Sequence, residues 1–377
     1  MNIRVFYKLL ILIGLLISCT NHQTNLATII SEDAIEENSI EKLFNIEKTK
    51  LMFLEQDSNV VLGKIEKMVS YNGDYFVLSR CGNNLLNLYR YNSDGKFINK
   101  VGTIGGASNE YVLLSTFFIQ DNKVYIIDSC RNKMLVYSID GTYIQSIKGK
   151  DDDFSFVLDA VAINNENVLL YNGLNTEPCV LFSIYNIPKM KITNEILTDI
   201  SASSWGYYSN KRLAKNSTGA FFFLPFDKGI YTLDDDYSQK KIFQVNYLGD
   251  IPNFSSTQYD EIEQIIHNSD VSLFYSLFAL DNKILINFID GSIIWDISNH
   301  CGNFIPHKSD FTDNIFPFEG LYVKCTTENG FIAVIDEDSF KVMMRGHNPC
   351  DLFDNNEKEI QCHLYDGSPV IVRYYLN

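Results

Sequence analysis

An eleven-residue segment occurs twice in this chain, 46 residues apart, and that recurrence limits the possible folds more than any other feature. Leu88-Tyr89-Arg90-Tyr91-Asn92-Ser93-Asp94-Gly95-Lys96-Phe97-Ile98 aligns with Met134-Leu135-Val136-Tyr137-Ser138-Ile139-Asp140-Gly141-Thr142-Tyr143-Ile144, so Tyr91 matches Tyr137 and Gly95 matches Gly141. Each Asp-Gly pair stands between alternating apolar runs, the pattern of a tight hairpin whose turn needs φ > 0. Another strand precedes each pair, Tyr75–Ser79 in the first copy and Val124–Asp128 in the second. The repeating unit is therefore several short strands long.

Weaker copies continue at Ala160–Tyr171, Ala220–Leu233, Ser276–Ile289 with Ser292–Ile297, and Leu321–Ile335, each interrupted by two to four Asn, Asp or Gly. That makes six units. A unit of this size cannot bury two apolar faces alone, and radial packing solves the problem with only short edges left. The expected fold is all-β, a six-bladed β-propeller of four-stranded antiparallel blades over 45–377. Residues 45–377 divided by the period give about seven units, and insertions near 240–270, 300–318 and 345–362 are expected to absorb the excess. Thr257–His267 is the best helical pattern and is expected to be one such excursion. Ser368–Leu376 alternates as a strand and Thr49–Leu54 is its expected partner, closing the ring from both termini.

Residues 1–18, MNIRVFYKLLILIGLLIS, carry Arg4 and Lys8 before an apolar run too short for a permanent span, as in an export signal. Leu16-Ile17-Ser18-Cys19 resembles the lipobox of bacterial lipoproteins, which implies a diacylglyceryl anchor on Cys19. Each buried acyl CH₂ contributes about 0.8 kcal/mol, so two or three chains hold a protein on a membrane essentially permanently. Residues 19–44 are polar and acidic and are expected to form a flexible tether, with one helical turn around Ala34–Leu43. No acidic cluster follows Cys19, so the expected address is the periplasmic side of the outer membrane. Removing Arg4 and Lys8 with the signal takes the formal net charge from −16 to −18. That charge argues against a nucleic-acid partner, and 46% hydrophobic residues argue against disorder.

Tyr91–Ile98, Val101-Gly102 through Glu110-Tyr111, Val124–Asp128, Lys133–Gly141 and the closing Ser368-Pro369-Val370-Ile371-Val372 with Tyr374 together resemble the NHL-like six-bladed propeller lipoproteins of Bacteroides-type bacteria. The resemblance is strong over 62–148 and thin from 175 to 320. Ser368 stands where that family usually has Asn, and Ala107-Ser108-Asn109 where a Gly-Pro turn is commoner. Most members have no assigned activity, so the resemblance implies fold and address more than chemistry.

No catalytic constellation is present. Gly102, Gly105 and Gly106 lack the Lys-Ser/Thr and following helix that a phosphate cradle needs, so they read as a blade-to-blade connection anchored by Glu110-Tyr111. There is no Gly-x-Ser-x-Gly elbow, and the six His and eight Cys show no paired zinc spacing. Without Cys19 seven Cys remain, so at least one thiol is free; Cys81 with Cys130 and Cys350 with Cys362 are both open as pairs. The candidate ligand contacts are Trp205, Tyr207, Tyr208 and Arg212, aromatic faces beside amides and a guanidinium that suit a sugar or peptide. Arg80 and Arg131 follow matching strands and are expected on one propeller face. The expected function is a membrane-anchored binding or scaffold module for a protein, peptide or glycan, with no cofactor. The alternative is a lactonase-like hydrolase or lyase with a divalent metal in the central channel.

Overall fold

The computed structural model describes residues 27–37, 40–45, 48, 50–57, 60–82, 85–173, 179–198, 211–224, 227–246, 274–288, 291–306, 323–335, 363 and 368–377. Six antiparallel sheets form a six-bladed β-propeller. Blade 1 comprises Lys64–Tyr71, Asp74–Cys81, Leu85–Tyr91 and Phe97–Lys100, and blade 2 Leu114–Gln120, Lys123–Asp128, Lys133–Ser138 and Tyr143–Lys148. Blade 3 comprises Val157–Ala162, Asn167–Asn172, Cys179–Asn186 and Lys191–Thr198. Blade 4 follows with Leu213–Lys215, Ala220–Phe223, Gly229–Leu233 and Gln239–Val245, and blade 5 with Phe274–Ala279, Lys283–Phe288, Gly291–Asp296 and Cys301–Pro306.

Blade 6 is built from both ends of the chain. Val323–Thr327, Gly330–Ile335 and Val370–Tyr375 supply three strands, and Lys50–Phe53 pairs antiparallel with the last, Ile371 opposite Met52. Gln56 fastens the seam: its Nε2 donates to Ser368 Oγ at 2.7 Å and its Oε1 accepts from Leu62 N at 2.8 Å.

The core is a ring of six apolar clusters, one between each pair of neighbouring blades, the last joining blade 6 to blade 1 through Ile332, Val334 and Ile371 against Ile65, Val77 and Tyr91. Middle strands therefore bury both faces, which is why Tyr75-Phe76-Val77-Leu78 is continuously apolar. Fourth strands lie outside and read as polar, for example Tyr143–Lys148.

The 46-residue repeat has a structural reason. Each third strand buries an aromatic ring: Tyr91, Tyr137, Tyr185, Tyr231, Trp295 and Tyr374. Gly95 and Gly141 occupy φ of +81° and +88° in the hairpin to the fourth strand, where each presses on the backbone of the preceding blade, at Phe53 and Lys100 respectively. An arginine then reaches the carbonyl two residues before that glycine in the next blade: Arg373 Nη2 donates to Ser93 O at 2.8 Å and Arg90 Nη1 to Ile139 O at 3.0 Å.

Burial pushes the phenol pKa of Tyr89 and Tyr185 up to about 12, and those of Tyr91, Tyr111, Tyr137, Tyr231 and Tyr374 higher still. A phenol that holds its proton longer folded than unfolded stabilises the fold below the ordinary tyrosine pKa of about 10 and loses that contribution as pH rises through the folded value. Stability is therefore expected to fall steeply from pH 10 to 12. Absorbance at 295 nm should show this buried set ionising together with unfolding, and smooth titration near pH 10 without loss of tertiary signal would contradict it.

Several expectations need correction. Residues 19–44 do not form a free tether throughout: Thr28–Ile30 adds a parallel fifth strand to the outer edge of blade 4, and Ile35–Glu37 does the same on blade 5. The helical turn is Ile40–Leu43, and the next residue, Phe44, is fully buried between blades 5 and 6. Exposed edge strands invite pairing, and this segment covers two of them. The insertions also begin later than expected, because Gln239–Val245 and Cys301–Pro306 are fourth strands. Residues 1–26, including Cys19, and the helical pattern at Thr257–His267 lie outside the described residues.

Candidate functional site

The first strands of the six blades neighbour one another around a central channel. In five of them a β-bulge falls at the same place, after Ile65, Leu114, Val157, Phe274 and Val323. A bulge re-aims the residue that follows it. The residues beyond the bulges are Lys67, Thr116, Asp159, Ser276 and Cys325, and the parallel bridge from Lys211 to Ser276 places blade 4's Lys211 at the same level.

Lys67 is the centre of this tier. Its ammonium, 8% exposed, donates to Asp159 Oδ1 at 2.5 Å, Thr116 Oγ1 at 3.2 Å and the carbonyls of Phe117 and Ala160 at 2.7 and 3.1 Å. It also lies 5.3 Å from the centre of the Phe117 ring. One side chain thus ties the inner edges of blades 1, 2 and 3. Burial lowers the Lys67 pKa, with the Asp159 charge opposing that shift and the Lys211 charge adding to it. Asp159 Oδ1 accepts in addition from Thr116 Oγ1 and Ala160 N, while Oδ2 is buried with no hydrogen-bond partner among the described residues. Burial pushes the Cys325 thiol up to about 12, so it stays neutral at physiological pH.

Among the described residues no three His, Cys, Asp or Glu converge, and the one carboxylate in the tier is held by Lys67 with Lys211 at the same level.

The two ends of the propeller differ sharply. Connections at one end, such as 72–73, 121–122, 216–219 and 297–300, are no longer than five residues. All the longer ones, 54–63, 101–113, 149–156, 199–212, 246–273, 307–322 and 336–369, leave from the other end. There, among the described residues, Leu113, Phe156, Leu158 and Tyr275 are exposed, Tyr275 by 65%.

The sequence candidates are distributed over this frame. Arg80 and Arg131 both lie at the loop-bearing end, Arg80 within the last residues of the second strand Asp74–Cys81 and Arg131 just after Lys123–Asp128; Arg80 Nε donates to Glu66 at 2.6 Å and Arg131 Nη1 to Ala107 O at 3.3 Å. Trp205, Tyr207 and Tyr208 lie outside the described residues. Arg212 does not offer itself to a ligand. It is 2% exposed, donates to Tyr171 Oη at 3.1 Å and stacks over Tyr171 and Phe223, bracing blade 3 against blade 4. Cys81 and Cys130 are both free thiols, so they do not bridge the blade boundary. Glu110-Tyr111 is the anchor the sequence suggested: Glu110 accepts from Ala107 N at 2.7 Å, and the buried Tyr111 hydroxyl donates to Leu86 O at 3.2 Å. The channel tier had escaped sequence reading, since Lys67, Thr116 and Asp159 share no motif. Its signal was positional, each standing a few residues before the end of a first strand.

The solved structures that share the fold include two from Bacteroides. A protein of Bacteroides fragilis NCTC 9343, BF0058, which carries the name of an exported protein, matches with a TM-score of 0.69 at 17% identity, over 93% of this chain and 100% of its own. A member of the DUF4221 family from Bacteroides vulgatus ATCC 8482 matches with a TM-score of 0.56 at 10% identity, over 89% of this chain and 97% of its own. No functionally curated protein matches. The family model described as a domain of unknown function, DUF4934, matches residues 25–374, and with that coverage the chain belongs to the DUF4934 family.

Proposed function

We propose that this chain is an exported, membrane-anchored binding module of NHL-like propeller type whose partner, a protein, peptide or glycan, docks on the loop-bearing end. The observation that carries this reading is the asymmetry of the two ends: variable-length connections concentrate at one, together with exposed apolar side chains. Binding residues favour such loops on a rigid scaffold, and exposed apolar groups there give a partner surface to bury. The exported name of the Bacteroides fragilis protein, the signal-like residues 1–18 and the lipobox-like Cys19 support the address, the periplasmic side of the outer membrane.

Screening the purified chain against peptide and glycan arrays tests the function. Leu113→Asp with Phe156→Asp is expected to weaken any specific binder at least tenfold, whereas Thr218→Asp at the opposite end leaves it unchanged. Loss of binding only with the second change sinks the reading. Cys19→Ala should move the protein from the membrane fraction to the soluble periplasm, and retention on the membrane overturns the anchor.

A further inference from the structure

The N-terminal segment shows that a blade of this propeller accepts a fifth, parallel strand on its outer edge, and it occupies two such edges. Blade 3 presents the same kind of edge without a cover. Among the described residues no strand pairs with Lys191–Thr198 from outside, and at eight residues it is the longest of the six fourth strands. It contains no proline, its one lysine stands at the first position, and Leu197 is 50% exposed. An edge of this kind invites an added strand unless lysines, proline or a cover prevent it.

The register of that edge repeats the one blade 4 uses. In blade 4 the pairing slips between Ile230 and Tyr231, and before the slip Gly229 and Ile230 face Gln244 and Phe243, two of the residues that Thr28–Ile30 joins. In blade 3 it slips between Ile184 and Tyr185, one 46-residue period earlier, and Ser183 and Ile184 face Glu195 and Asn194. Asn194–Ile196 is therefore the counterpart of Phe243–Val245, which already holds a fifth strand. On blade 4, Ile30 opposite Val245 is fully buried, while Ile29 opposite Gln244 is 56% exposed. By the same alternation, a strand on blade 3 turns the residue opposite Glu195 to the Glu195 face and its two neighbours to the other.

The Glu195 face borders a cavity of about 610 Å³ between blade 3 and the connection from blade 2. In its lining Asp151, Asp152, Asp153 and Glu195 outnumber Lys150 and Lys191. None of these four carboxylates is in an ion pair among the described residues, whereas Asp74, Asp227, Asp234 and Asp296 each hold a Lys or Arg. Burial pushes the Asp153 carboxyl above its ordinary value against the hydrogen bond from Lys150 N at 3.1 Å, and the charges of Asp151 and Glu195 push it further. A cation in the cavity relieves that repulsion.

We propose that the outer edge of blade 3 docks an extended basic segment of a partner protein, which adds a parallel fifth strand along Asn194–Ile196 and places a lysine or arginine in the acidic cavity. Main-chain hydrogen bonds supply affinity in such strand addition, and the side chains that alternate toward the pocket supply specificity. The residues on either side of the basic one are apolar, in the manner of Ile30 on blade 4. This edge lies on the flank of the propeller, apart from the partner surface at the loop-bearing end, so the two readings stand or fall independently.

Calorimetric titration of the full-length chain in detergent tests it with three seven-residue peptides: alternating lysine and valine, alternating glutamate and valine, and the lysine peptide with N-methylated valines. The lysine peptide is expected to bind at least tenfold more tightly than either of the others, and its affinity should fall as NaCl is raised. Asp151→Asn with Glu195→Gln, both at exposed positions, should weaken it at least fivefold. Phe156 also lines the cavity, so Leu113→Asp alone is the control for the loop-bearing end and should leave peptide binding intact. Hydrogen exchange should show new protection within Lys191–Thr198 and none within Tyr143–Lys148. Absence of binding, equal affinity for the lysine and glutamate peptides, indifference to N-methylation or to the double substitution, loss of binding with Leu113→Asp, or protection at another blade each overturns the proposal.

Discussion

Replacing Lys67 with Met is expected to destabilise the protein by about 3–5 kcal/mol, the usual cost of leaving one partner of a buried ion pair uncompensated. Asp159 is 2% exposed, and its Oδ1 receives the ammonium at 2.5 Å. Without that ammonium the carboxylate keeps, among the described residues, only Thr116 Oγ1 and Ala160 N as donors, and the carbonyls of Phe117 and Ala160 lose their bonds to blade 1. The loss is thus electrostatic and also topological, because three blades share the one side chain. The double variant Lys67→Met/Asp159→Leu separates these parts. Replacing a buried pair with apolar groups is often neutral or stabilising, so the double variant should recover most of the loss. Urea unfolding of the two single and the double variants measures it. A cost below about 1 kcal/mol for Lys67→Met, the level of an exposed pair, would show that water reaches the tier and the knot is unimportant.

Ending the chain at Gly367 is expected to abolish cooperative folding. The ten missing residues include the strand Val370–Tyr375, which sits between Gly330–Ile335 and Lys50–Phe53 and is the link between the two termini. Val370, Ile371, Val372 and Tyr374 are all fully buried, and they serve the clusters on both sides of blade 6. Full burial of a large apolar side chain contributes about 1.5–3 kcal/mol, so losing four removes about as much as the 5–15 kcal/mol that holds a whole domain. The loss also uncovers strand edges in the broken blade. Circular dichroism and thermal melts should show no sharp transition, and a peptide of residues 368–377 added in trans should restore part of it. A truncated chain that melts as sharply as the intact one would show that blade 6 closes without this strand.

The N-terminal docking explains why the tether was misread. Thr28–Ile30 and Ile35–Glu37 are three residues each, too short to show an alternating pattern. They are strands only because the outer edges of blades 4 and 5 offer them unpaired backbone groups around Gln244 and Asn303. Ile30 and Phe44 then become core residues, a status that nothing in the local sequence assigns them. Arg212 shows the same limit. Beside Trp205, Tyr207 and Tyr208 it looked like part of a recognition segment, but packing between Tyr171 and Phe223 gives its guanidinium an internal task.

The sequence by itself determined the repeat, the number of blades, the Asp-Gly hairpins, the anchoring of Tyr111 and the closure of Ser368–Leu376 on Thr49–Leu54. Each of these follows from period-2 patterning, turn chemistry or spacing along the chain, which are local properties. Only the tertiary structure decided what stands in the channel. Lys67, Thr116, Asp159, Lys211, Ser276 and Cys325 come from six blades; bulges in five first strands, and the bridge from Lys211 to Ser276 in the sixth, rather than any shared motif, bring them to one level. A site assembled one residue per blade leaves almost no trace in any single stretch of chain. Its chemistry exists only once the ring has closed and removed those groups from water.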